Sequence, residues 1–187
     1  MKAILHTGNS LSWLPDPEDR PWMLLPVGNR PILEYWIEGC LDLGIRDIRI
    51  VLGEGGYGIE TYAGEGERWG VNITYSFLNS NETPEDFPRR SPDLWKEGLL
   101  YVCEPCFPLR SQKVLNTPEK GSLFLLGPEE NPCGFYVSDS ECLARFLDAG
   151  NFPRPPTQAA PFSAYRLETP KAYFDLNMRM IKGEISN

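Results

Sequence analysis

Residues 24–38 read LLPVGNRPILEYWIE, and the apolar pattern that starts here is the strongest structural signal in the chain. Proline at position 31 has a fixed φ that suits the first turn of a helix. From there to Gly44, apolar side chains recur at helical spacing, at Ile32, Tyr35, Trp36, Cys40 and Leu43. The pattern predicts an amphipathic helix that begins at Pro31 and ends at Gly44.

Short apolar segments lie on both sides of this predicted helix. Residues 2–5 precede it, and residues 48–52 follow it as a nearly all-apolar run. Such runs are typical of strands that are buried on both faces of a parallel sheet. The order strand, helix, strand therefore predicts a β-α-β unit with a right-handed crossover.

Further elements are predicted along the rest of the chain. Strands are expected at residues 71–77, 99–103, 122–126 and 133–137, and helices within GGYGIETYAGEG (55–66) and at residues 139–147 and 170–181. Residues 15–21 read as an exposed loop. Twelve of the 18 prolines lie between Pro84 and Pro161, so that half is expected to be rich in loops.

Composition limits the class of protein. With 187 residues, of which 41% are hydrophobic, the chain suits one domain covering 1–187. A net charge of -8 argues against binding to nucleic acid, whose phosphates require clustered Lys and Arg. No apolar run approaches the roughly 20 residues that cross a membrane. We therefore expect a cytoplasmic protein with neither nucleic-acid nor membrane partners.

The five cysteines form an odd set without the spacing of a disulfide scaffold, which predicts reduced and mostly buried thiols. Cys103 and Cys106 have C-x-x-C spacing, which can indicate a redox pair or half of a zinc site. A redox pair normally begins a helix, whereas Cys106 leads into Phe107 and Pro108. Zinc would need two further ligands. Coincidence on a buried strand is the favoured interpretation.

The stretch from Leu24 to Gly53, LLPVGNRPILEYWIEGCLDLGIRDIRIVLG, placed after Met1 to Leu5, resembles the sugar-1-phosphate nucleotidylyltransferases, or nucleotide-sugar pyrophosphorylases. The resemblance returns in residues 62–71, 134–137 and 168–177, in the order of the family. It implies a three-layer α/β/α fold with a Rossmann-like, mostly parallel central sheet of the nucleotide-diphospho-sugar transferase type.

In that family, a sugar-1-phosphate oxygen attacks the α-phosphorus of an NTP and pyrophosphate leaves. Glycines admit the triphosphate, cations neutralise its charge, and two aspartates hold Mg²⁺. The glycine-rich loop falls on residues 7–13, where only Gly8 is retained. Ser12 stands at the position of the loop arginine and Trp22 at that of a lysine. The resemblance thus implies an altered nucleotide pocket formed by Leu5, His6, Thr7, Gly8, Asn9, Ser12 and Trp22.

The two metal positions are altered as well. Pro105 stands at the first aspartate and Arg166 at the second, and neither side chain can bind a divalent cation. A shifted metal pair, Glu104 with Glu168, is the alternative. Only 25 residues separate Pro105 from Asn131, so the acceptor-binding region around 105–131 is shortened relative to the family.

His6 is the only histidine and is expected at the carboxyl edge of the sheet, where ligands bind in open α/β folds. It can contact a base or phosphate there, although a histidine bonded to backbone is the commoner case. Trp13 and Trp22 are expected to fill the cleft and exclude substrate.

These features predict a nucleotidyltransferase-like domain of sugar-nucleotide biosynthesis that is catalytically impaired and is kept for binding, regulation or assembly. It would have no catalytic residues and no cofactor. Candidate partners are a nucleotide or a sugar phosphate, a second copy of the chain, or a partner enzyme. The alternative is an active sugar-1-phosphate nucleotidylyltransferase with atypical ligands, which would use Mg²⁺.

Overall fold

A computed structural model describes residues 1–8, 11–15, 21–53, 56–78, 86–90, 98–110, 123–126, 133–137 and 162–185. The strands in these ranges are β1 (Lys2–His6), β2 (Pro26–Val27), β3 (Arg30–Pro31), β4 (Asp47–Leu52), β5 (Asn72–Phe77), β6 (Leu99–Val102), β7 (Cys106–Arg110), β8 (Leu123–Leu126), β9 (Gly134–Val137) and β10 (Phe162–Arg166). The α-helices are α1 (Ile32–Asp42), α2 (Tyr57–Ala63), α3 (Asp86–Arg90) and α4 (Pro170–Ile181).

Six strands form the central sheet, in the order β5-β4-β1-β6-β9-β8. The first four are parallel to one another, and β9 and β8 add antiparallel pairings at the far side. The predicted mostly parallel sheet with flanking helices is therefore confirmed. So is the unit β1-α1-β4, because β1 and β4 pair in parallel with Ala3 opposite Ile48.

Both faces of β1 are buried, which explains why its sequence is nearly all apolar. Ala3 and Leu5 belong to the larger core cluster, together with Trp36 and Cys40 of α1. Ile4 belongs to a second cluster on the opposite face, which includes Phe87 of α3. Each large apolar side chain buried in these layers contributes roughly 2 kcal/mol to folding.

Most predicted elements lie within one residue of their expected bounds, and α4 has the predicted range. The predicted helix at 139–147, most of the loop at 15–21 and the shortened segment between Arg110 and Leu123 lie outside the described residues. In the described ranges, none of the helices is both long and apolar enough to cross a bilayer.

The sequence did not predict the two-stranded antiparallel sheet of β7 and β10. Pro108 lies within β7 opposite Ala164, a position that a two-stranded sheet tolerates because one side of each strand needs no ladder partner. This small sheet begins directly after β6, so it brings the end of β10 to the carboxyl edge of the central sheet.

A hairpin of β2 and β3 contacts helix α4, which lies far away in the sequence. Gly28 and Asn29 both have positive φ, 56° and 66°, the conformation that a two-residue hairpin turn with the right twist requires. The Gly28 amide donates to Asn177 Oδ1 at 3.3 Å, and the Tyr173 hydroxyl donates to the Pro26 carbonyl. Helix α4 is therefore docked on the hairpin.

Candidate functional site

The residues singled out from the sequence gather at the carboxyl edge of the central sheet. Parallel strands β1, β4 and β6 end there, and they lead into Thr7, Gly53 and Cys103 respectively. Open α/β sheets bind ligands at this edge. Asn9 lies outside the described residues.

The backbone amides after β1 are directed into the protein. Thr7 N–H donates to the Val51 carbonyl at 2.9 Å, and the Thr7 hydroxyl donates to the same oxygen at 3.0 Å. Gly8 N–H donates to His6 Nδ1 at 3.2 Å. A phosphate cradle requires N–H groups that point at the ligand, and these two already have intramolecular acceptors.

Gly8 and Gly53 pack closely against each other. A Cβ atom on Gly53 would lie closer than 3.0 Å to the Cα of Gly8, and one on Gly8 would lie 2.8 Å from His6 Cε1. Real Cβ atoms do not adopt such separations. The loops after β1 and β4 therefore touch backbone to backbone, and both positions require glycine.

His6 is fully buried, and its ring lies on the face of β1 that Ile4 shares, opposite the face of Leu5. Because Nδ1 accepts from Gly8, the hydrogen of the neutral ring is on Nε2. Within the described residues that atom has no hydrogen-bond partner. Burial lowers the pKa of His6 to about 4, so the imidazole is neutral at pH 7.

Ser12 and Trp22, which the resemblance assigns to the two cation positions, have different environments. Ser12 is exposed, whereas Trp22 is 1% exposed in the core cluster that also contains α1. Trp22 and His6 thus pack on opposite faces of the sheet and do not line one pocket. The Trp22 indole N–H has no acceptor in the described part of the chain.

Trp13 lies in the segment after β1 and connects that segment to the residues that follow β10. Its indole N–H donates to the Leu167 carbonyl at 2.9 Å, and its ring packs against Tyr173 at a centroid distance of 5.7 Å. Leu167 N–H in turn donates to the Pro105 carbonyl at 3.1 Å. Leu167 therefore links Trp13 to Pro105 and is adjacent in sequence to Arg166, the two residues that the resemblance assigns to the metal positions.

Arg166 lies between the two glutamates of the proposed shifted pair. Its Nε is 2.7 Å from Glu168 Oε1, an ion pair without hydrogen-bond alignment, and one terminal nitrogen is 3.8 Å from Glu104 Oε2. The Arg166 side chain is 14% exposed. Glu104 lies in the segment between β6 and β7, so strand alternation does not fix the direction of its side chain.

These residues do not fit a divalent metal. Pro105 has no side-chain oxygen, nitrogen or sulfur to bind a metal, and a guanidinium that forms ion pairs with both carboxylates repels a second cation. In the described residues, no group of three or more His, Cys, Asp or Glu side chains is arranged to hold a metal ion.

Three of the thiols lie beside this cluster. Cys103 Sγ donates to the Cys133 carbonyl at 3.3 Å, and Arg166 is opposite Cys106 in the β7–β10 pairing. Burial, followed by the Cys133 thiol, raises the pKa of Cys106 well above its ordinary value. Cys40, Cys103, Cys106 and Cys133 are free and buried, as the sequence predicted, and Cys142 lies outside the described residues.

Known proteins with similar sequences are nucleotidyltransferases. The chain is 40% identical over 77 residues to the low-salt glycan biosynthesis nucleotidyltransferase Agl11 of Haloferax volcanii, a match that covers 40% of this chain and 22% of that protein. It is 34% identical over 76 residues to a glucose-1-phosphate thymidylyltransferase of Streptomyces griseus, covering 40% and 21%. The chain thus spans about a fifth of the length of these relatives. No protein-family model matches it.

A solved structure shows the same fold over the whole chain. It is that of a Bacillus anthracis protein assigned as a glucose-1-phosphate thymidylyltransferase, with a TM-score of 0.71 and 15% identity over 100% of this chain and 96% of that one. The resemblance to sugar-1-phosphate nucleotidylyltransferases is confirmed by these similarities, in sequence over a partial segment and in fold over all of it.

Proposed function

We propose that this chain is a nucleotidyltransferase-like domain of sugar-nucleotide biosynthesis that has lost metal-dependent nucleotidyl transfer and is kept for binding, regulation or assembly. The observation that carries the proposal is the placement of Arg166 between Glu104 and Glu168. A positive side chain occupies the position at which the resemblance implies a metal ligand.

The loss of charge elsewhere supports the same conclusion. Transfer to a triphosphate needs fixed positive charge where negative charge develops. Ser12 is exposed but neutral, and Trp22 is buried in the core, so neither replaces the loop cations. The Arg166 charge is opposed by two carboxylates and is not available to a phosphate.

The conformation of the loop after β1 also supports the proposed lack of nucleotidyl transfer. Its first two amides donate to Val51 and His6, and the loop packs directly on Gly53. A triphosphate could bind to these amides only after both bonds had broken. A nucleotide or sugar phosphate would therefore bind weakly here or through other residues.

One observation favours the alternative of an active enzyme. Glu104 and Glu168 contact the same guanidinium, so their carboxylates lie within reach of one cation. A metal could take that place if Arg166 moved away. The same observation makes Glu104 and Glu168 the residues to mutate when the two functions are compared.

Pyrophosphate release distinguishes the two functions. The full chain is assayed with the common NTPs and a panel of sugar-1-phosphates, with and without Mg²⁺, beside an active thymidylyltransferase as positive control. We expect no Mg²⁺-dependent release. Turnover that requires Mg²⁺ and disappears in Glu104→Gln and Glu168→Gln would establish the alternative.

Ligand binding is measured separately by thermal denaturation. A ligand present at about 100 times its Kd stabilises the folded state by about 2.7 kcal/mol. Stabilisation by an NTP or sugar phosphate that is the same in EDTA and in Mg²⁺ is the result expected of a binding domain. Stabilisation only in the presence of Mg²⁺ would contradict the proposal.

A further inference from the structure

Helix α4 has one apolar stripe that faces away from the protein. Leu176 is buried, and Tyr173 and Met180 pack against the core, so these residues define the inner face. On the other side, Phe174 is 61% exposed and Ile181 is 74% exposed. Met178 lies between them, and spacings of four and three residues align the three side chains on one face.

This stripe is unusual for the surface of the described part of the chain. Only four large hydrophobic side chains are exposed there, and two of them, Phe174 and Ile181, belong to this one helix face. The other two, Tyr57 and Phe77, belong to separate elements, α2 and β5. Contiguous apolar surface on a helix is typical of a contact site.

Two opposite charges beside the stripe indicate what binds there. Asp175 lies three residues before Met178, and Lys182, which follows the last residue of α4, lies four residues after it. Asp175 is 41% exposed and forms an ion pair with Lys171, and Lys182 is exposed. Arg179 also lies on α4 but forms an ion pair with Glu184 in the segment after the helix.

These two positions are nearly symmetric about Met178. In an antiparallel pair of α4 helices that cross at Met178, Asp175 of each copy would therefore face Lys182 of the other. The twofold axis would produce two such ion pairs, and opposite charges placed this way favour one register of an interface over others.

We propose that the outward face of α4 binds the same face of a second copy of this chain, antiparallel about a twofold axis at Met178. Phe174 of each copy then packs beside Ile181 of the other, as an isologous interface requires. This proposal goes beyond the proposed function and does not depend on it.

The interface should be weak. Stable complexes bury about 800 Å² per partner, which is more than one face of a helix of 12 residues offers. Exposed ion pairs contribute to the alignment and specificity of an interface more than to its affinity. The dimer should therefore dissociate on dilution, and its fraction should depend on protein concentration.

Sedimentation equilibrium of the full chain over a wide concentration range tests the proposal. We expect the average mass to rise from that of one chain toward twice that value. Ile181→Asp should keep the protein monomeric at every concentration. The matched control is Tyr57→Asp, which places the same charge at an equally exposed apolar position and should associate as the wild type does.

A charge exchange tests the antiparallel register. Lys182→Glu should weaken association at least severalfold, because the carboxylate that it introduces then faces Asp175 of the second copy. Adding Asp175→Lys should restore it. A wild type that stays monomeric throughout, an Ile181→Asp variant that associates normally, or a double variant no better than Lys182→Glu alone would each overturn the proposal.

Discussion

His6 makes the stability of this protein depend on pH. Burial lowers its pKa from 6.5 to about 4, so the unfolded chain binds a proton at a higher pH than the folded chain does. Its contribution to stability is therefore complete above about pH 6.5 and is lost as the pH falls toward 4. Between pH 7.5 and 5, the free energy of unfolding should fall by about 2 kcal/mol.

Urea denaturation at these two pH values measures the effect. His6 is the only histidine, and most carboxyl groups remain ionised at pH 5, so the change can be assigned to it. The control is His6→Asn, whose amide oxygen can accept from Gly8 N–H but does not titrate. Its stability should change little between the two conditions, and an equal loss in both proteins would refute the assignment.

Arg166 is expected to stabilise the contact between the β6–β7 turn and the end of β10. Arg166→Met keeps the aliphatic part of the side chain but leaves Glu104 and Glu168 without their cation. Because both glutamates are partly exposed, we expect a loss of about 1 kcal/mol rather than the larger penalty of a buried pair.

Chemical denaturation checks this value. Glu104→Gln added to Arg166→Met removes one of the two facing carboxylates, so the double variant should regain part of the loss. If Arg166→Met is as stable as the wild type, the ion pairs are not significant for the fold.

The loops at the ends of β1 and β4 act as a pair, and glycine makes their contact possible. Gly53→Ala places a methyl group against the backbone of Gly8, so it should destabilise the protein by about 2 kcal/mol or more. Gly39→Ala in α1 is the matched control, since a Cβ at that position meets nothing within 4 Å. It should stabilise the helix by about 0.5 to 1 kcal/mol.

Thermal and urea denaturation of the two variants provide the comparison. We expect the free energy of unfolding to fall in Gly53→Ala and to rise in Gly39→Ala, although each variant adds the same methyl group. A Gly53→Ala variant of wild-type stability would show that the two loops can separate without a loss of stability. The contact between Gly8 and Gly53 could then not be what keeps the loop after β1 closed.

The elements that the sequence predicted are those with strong local signals. In β1 and β4 nearly every residue is apolar because both faces are buried, and α1 has its proline start and helical spacing. β7 and β10 were missed because each lies among prolines and each is stabilised by the other across more than 50 residues of sequence. No short-range pattern encodes that pairing.

For the molecule as a whole, the fold and the site depend on different residues. The sheet and α1 depend on apolar spacing, whereas the proposed lack of nucleotidyl transfer depends on charge at a few positions. The sequence resemblance was enough to propose that Ser12, Trp22, Pro105 and Arg166 stand at those positions. The ion pairs of Arg166 with Glu104 and Glu168, and the bond from Trp13 to Leu167, required three-dimensional pairing of β7 with β10.

The proposed function requires that the Arg166 guanidinium stands where a divalent ion would otherwise bind. Electron paramagnetic resonance of Mn²⁺ titrated with the wild-type protein measures this, because bound Mn²⁺ loses its free-ion signal. We expect stoichiometric protein to leave the signal of free Mn²⁺ unchanged. When an NTP is added, the signal should fall only by the amount that the NTP alone binds. One Mn²⁺ bound per chain, and lost in Glu104→Gln or Glu168→Gln, would contradict it.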